Sequence, residues 1–94
     1  MGKLLILFKF VFFVFSSDFN ESRRHVHVTD KKRDKERVCK FWIEPKIELH
    51  ENIGFSSKEL NEIEKLLGLH LELLNGQLDL FYSGKRVKPI MKDE

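Results

Sequence analysis

Ninety-four residues with 17 Lys and Arg against 15 Asp and Glu describe one small, nearly neutral domain, its core close to the lower limit for independent folding. A formal charge of +2 argues against a general nucleic-acid coat but leaves room for a local basic patch. The single cysteine, Cys39, excludes an intrachain disulfide, so a reducing cytoplasm is the expected compartment.

The chain opens on an apolar run, Leu4 to Phe15, that holds most of its phenylalanines. With Lys3 before it and Ser16-Ser17 after it, the run has the outline of a secretory signal. Against that, Lys9 interrupts the apolar middle and no A-x-A cleavage pattern follows. The run is too short to span a membrane comfortably, and no membrane association is expected. Phe and Val favour a buried strand, expected over Val11–Phe15. Ser16–Glu21 (SSDFNE) is turn chemistry, because Ser, Asp and Asn bond their own backbone and reverse the chain.

Two stretches then alternate with the two-residue period of a half-buried strand. In Arg24–Val28 (RHVHV), Val26 and Val28 share one face and His25 and His27 the other. In Val38–Pro45 (VCKFWIEP), Cys39, Phe41 and Ile43 point one way and Lys40, Trp42 and Glu44 the other. Pairing their apolar faces collects two imidazoles, an ammonium, an indole and a carboxylate on the opposite, open face. Thr29–Arg37 between them is a charged loop; it is either a solvated tip or a basic lip, with Lys31, Lys32 and Arg33 available to meet phosphate. Lys46–His50 alternates again as a fourth strand, and Asn52–Phe55 is a turn in which Gly54 takes positive φ.

A helix follows. Ser56 and Glu59 have capping-box spacing, and Leu60, Ile63, Leu67, Leu71, Leu74, Leu78 and Phe81 form one apolar stripe. Leu66, Leu69, Leu73 and Leu80 lie off that stripe and suggest a second surface, covered by a dimer mate or a partner. Gly68 and Gly76 weaken the helix, with a kink expected near Gly76. One domain is expected over residues 1–83, with a mobile tail over 84–94.

The order RHVHV, then CKFWIEP, then Asn52, Gly54 and Phe55, then a helix starting S-x-x-E-L, resembles the family known as domain of unknown function 4160. Lys40, Phe41, Trp42, Glu44 and Pro45 match its A-K-F-W-L-E-P run directly, and His25 and His27 match its His-x-His-Val. Cys39 stands where the family has Ala, Ile43 where it has Leu, and Ser22 follows Glu21 where the family has Pro. The resemblance implies a small prokaryotic domain encoded beside a second small gene, in the manner of toxin–antitoxin pairs. The expected fold is α+β: a small, mainly antiparallel four-stranded sheet with one long C-terminal helix packed on one face.

Three functions fit these residues. The first is a toxin–antitoxin-type component that binds RNA or a protein through the open face, with Trp42 stacking a base while Lys40 meets phosphate, and with Arg24, Lys31, Lys32 and Arg33 as further binding residues. Its partner is a second copy of the chain, a small protein encoded nearby, or RNA. The second is a metal-independent ribonuclease-like enzyme: His25 and His27 act as acid and base, Lys40 steadies the phosphorane and Glu44 orients an imidazole. The third is a metal site on the two histidines with Glu44 or His50 as third ligand. For the first two, no cofactor is expected. The plain alternatives are a polar sheet face at His25/His27, a covering role for Trp42 and a half-buried structural His70.

Overall fold

The apolar run at the start of the chain folds back on itself. In the computed structural model, which describes residues 2–30 and 37–92, it forms two antiparallel strands, β1 (Gly2–Leu7) and β2 (Phe10–Val14), joined at Phe8–Lys9. Phe8 has a φ of 51°, the left-handed conformation that Gly or Asn ordinarily supplies in a hairpin turn. A 3-10 turn at Ser16–Asn20 leads to β3 (His25–Asp30), β4 (Val38–Trp42) and β5 (Glu48–Ile53). Two helices follow, α1 (Ser57–Leu69) and α2 (Leu71–Tyr82), and then a short β6 (Ile90–Lys92). The strand order is β5-β4-β3-β2-β1-β6; β6 runs parallel to β1 and every other neighbouring pair is antiparallel.

The class is α+β, but the expected four-stranded sheet under one long helix is corrected. Among the described residues the sheet has six strands and is mixed, and the helix is two helices. The apolar run is long enough for two strands of five or six residues. Beyond Gly84, whose φ is +75°, the chain returns along the sheet and places Ile90–Lys92 beside β1. A straight helix from Ser57 to Tyr82 would run about 39 Å at about 1.5 Å per residue, whereas the Cα trace extends 34 Å along its longest axis. The break falls at His70 (φ −115°, ψ 21°), and Gly76 lies inside α2. No helix among the described residues is long and apolar enough to cross a membrane.

The core lies between one sheet face and the helices. Leu5, Phe12, Val28, Cys39 and Phe41 from the strands pack with Ile63, Leu67, Leu74 and Leu78. Burial pushes the Cys39 thiol up to about 12, so it serves as a small apolar group. Arg24 leaves the sheet toward α2: its guanidinium donates to the Asn75 side chain at 2.9 Å and pairs with Asp79. Arg37 makes a comparable bridge, donating to Glu59 at 2.8 Å and to Asp30 at 3.0 Å.

The start of α1 has the capping box expected for it. The Glu59 N–H donates to Ser56 Oγ at 3.2 Å, and the Ser56 N–H donates to Glu59 Oε1 at 3.0 Å. The Ser56 amide first, and Arg37 after it, hold the Glu59 carboxyl below its ordinary value. Ser56→Ala is expected to lower stability by about 1 kcal/mol in urea titrations. Glu59→Gln should weaken the protein above about pH 4.3, the ordinary carboxyl range. Because the folded value is lowered, that difference from wild type should shrink as pH falls through it; a difference independent of pH would count against the charged cap.

Candidate functional site

The face away from the helices is covered at its centre. The Ser16–Asn20 turn crosses from β2 to β3 and brings the Asp18 carboxylate over His25 and His27. The Phe15 N–H donates to Asp18 Oδ2 at 2.7 Å, which fixes the carboxylate against its own turn. His27 Nε2 lies 3.1 Å from Asp18 Oδ2 and His25 Nε2 lies 3.2 Å from Asp18 Oδ1. The alternation of β3 sends both imidazoles to this face, as the sequence pattern predicts. His25 is fully buried, however, and the exposed histidine face is absent.

The two rings differ in their partners. His25 Nδ1 lies 3.0 Å from the Arg23 carbonyl oxygen and 3.2 Å from Glu21 Oε2. A carbonyl only accepts, so Nδ1 carries the ring proton. His25 Nε2 is buried and makes no hydrogen bond, despite the nearby Asp18 oxygen. His27 stacks on Phe13, with centroids 5.4 Å apart, and meets Phe15 edge-on at 4.7 Å. Burial pushes the His27 pKa below its ordinary value, and Asp18 opposes that shift.

Beside the pair, Lys40 Nζ is 3.4 Å from Glu21 and 4.6 Å from the Trp42 ring centroid. The Arg23 guanidinium stacks 4.4 Å from the same ring and His50 packs at 4.8 Å. Cations and rings of the chain itself therefore already occupy much of the surface of Trp42.

A family model matches residues 9–77, from the turn before β2 into the middle of α2, under the description domain of unknown function. The chain belongs to the DUF4160 family. No curated protein and no solved structure matches it.

In this DUF4160 domain, His25, His27, Lys40 and Trp42 come together as cross-strand neighbours: His25 pairs with Trp42 and His27 with Lys40. Glu44 does not join them. It lies exposed in the bend after β4, where its carbonyl accepts from Arg23 Nε at 2.8 Å. Arg24 is held at α2, away from the histidines. Lys31, Lys32 and Arg33 fall outside the described residues. Leu66, Leu73 and Leu80 are half-buried, the first two packed against the core, while Leu69 is 67% exposed. His70 is buried at the helix junction.

Sequence reading misses Asp18, Glu21 and Arg23 as members of the site. No local signal separates Asp18 from an ordinary turn residue; its place over the histidines comes from the path of the Ser16–Asn20 turn between β2 and β3.

Proposed function

We propose that this DUF4160 domain is the protein-binding member of a toxin–antitoxin-type pair, and that it grips its partner on the sheet face opposite the helices. The observation that carries this reading is an apolar groove of about 180 Å³ beside the edge strand β5, with Phe15 and Ile53 at its rims. Phe15 is 43% exposed and Ile53 59%, and the two line the same groove and do not lie singly on the surface. A space of about 150 Å³ holds a benzene-sized group, so the groove accommodates one large apolar side chain. Lys40 and Glu51 line it as well and provide polar anchors of both signs around that contact. Every residue of β5 is exposed, and its outer edge is available for strand addition from Glu51 to Ile53. The bulge opposite Lys40–Phe41 disrupts the edge nearer Glu48.

This favours a protein over RNA. Trp42 is already flanked by Arg23, Lys40 and His50, and the acidic Glu21, Glu48 and Glu51 stand among those cations. The test is copurification with the product of the adjacent gene, comparing wild type with Ile53→Lys. The variant should lose the complex, with affinity falling at least tenfold, while its circular dichroism stays unchanged. A complex that survives Ile53→Lys and Phe15→Ser sinks the groove. Retention of RNA in its place, weakening steeply with salt, would favour nucleic-acid binding.

A further inference from the structure

We propose that Asp18, His25 and His27 form a three-ligand site for a divalent transition ion of the zinc type, clamping the Ser16–Asn20 turn onto β3. Among the described residues this is the group of metal-ligating side chains whose donor atoms come together, all within 4.8 Å of one another. The second observation is the lone pair of His25. With the Nδ1 proton directed at the Arg23 carbonyl, Nε2 is left fully buried, 3.2 Å from Asp18 Oδ1 and without a hydrogen bond. Two acceptors pressed together out of water repel each other, and a cation between them turns the same geometry into ligation.

The hydrogen bonds around the three donors match this role. A ligating imidazole ordinarily donates its other N–H to a carbonyl or carboxylate, as His25 does to Arg23 with Glu21 close by. Asp18 is oriented by the Phe15 amide. Tetrahedral zinc, with bonds of about 2.0–2.1 Å, needs donors roughly 3.3–3.5 Å apart. The histidines meet different oxygens of Asp18, His25 Nε2 at 3.2 Å from Oδ1 and His27 Nε2 at 3.1 Å from Oδ2, and with one donor from each residue all three lie within 4.8 Å, so ligation draws them about an ångström closer. Ligation by His27 Nε2 moves its ring proton to Nδ1. Two nitrogens and one oxygen favour zinc, or neighbouring cobalt and nickel, over calcium or magnesium. Because the donors come from the turn and from β3, the ion ties the turn to the sheet.

The test is titration of metal-stripped full-length protein with zinc, followed by calorimetry and thermal melting, and with cobalt, followed by visible absorption. One equivalent should bind, raise the melting temperature and give the intense d–d bands of a tetrahedral cobalt site. His27→Gln should weaken binding roughly 100-fold or more, while His50→Ala should leave it unchanged. Asp18→Asn separates the two accounts of His25. If Nε2 is a bare lone pair, the new amide donates to it, so the metal-free variant melts at or above wild type yet no longer takes up metal. The proposal is overturned if wild type binds no metal, if metal binding survives both Asp18→Asn and His27→Gln, or if metal-free Asp18→Asn is strongly destabilised. The last result would make His25 an imidazolium already paired with Asp18.

Discussion

Asp18→Ala is expected to cost the metal-free protein about 3–6 kcal/mol, since each of its two hydrogen bonds to a buried charged group is worth roughly 1.5–3 kcal/mol. Asp18 is only 7% exposed, and its carboxylate accepts from the Phe15 N–H at 2.7 Å and meets His27 at 3.1 Å. Alanine removes both contacts and leaves the amide and the imidazole under the turn without that partner. Domains of this size have about 5–15 kcal/mol in hand, so this one exposed-looking turn residue carries a large share of the total. Urea titration by fluorescence of Trp42, the sole tryptophan, is the measurement. A loss below about 1 kcal/mol, the range of ordinary surface changes, would show that the turn does not anchor the face. The His27 ring should also become accessible, visible as faster reaction with an imidazole-modifying reagent.

Gln77→Leu is expected to release the C-terminal strand. Leu4 is the extra residue of the bulge in β1, since Lys3 pairs with Phe13 and Leu5 with Phe12. The Leu4 carbonyl turns to α2, where Gln77 Nε2 donates to it at 2.9 Å, and the same nitrogen donates to the Lys88 carbonyl at 2.7 Å. One buried amide thus ties β1, α2 and the approach to β6 together. Leucine keeps the volume but abandons both carbonyls, at about 1–3 kcal/mol for the Leu4 carbonyl, which is left buried, and less for that of the exposed Lys88. Amide exchange should accelerate at Ile90–Lys92 while β3 and β4 stay protected. Equal protection of β6 in variant and wild type would mean that the pairing with β1 holds the strand unaided.

The alternation in RHVHV and VCKFW by itself determined which side chains share a face, because a strand's two-residue period depends only on the local backbone. In the same way, Ser56 and Glu59 determined where α1 begins, and Gly54, with φ of 90°, the turn before it. Lys9 marked where the first apolar run is interrupted, but Phe8 concealed the hairpin, since the turn takes its positive φ without a Gly or Asn to announce it. The break at His70 separates α1 from α2 at a residue that no Gly or Pro marks in the sequence. β6 is a three-residue strand whose partner lies at the other end of the chain. His25 was placed on the correct face by its neighbours, but its burial was decided by Asp18 and the turn that carries it over the sheet. Long-range docking satisfies polar groups in space and not in sequence, so Asp18 looks like an ordinary turn residue until the fold brings it within 3.2 Å of both imidazoles.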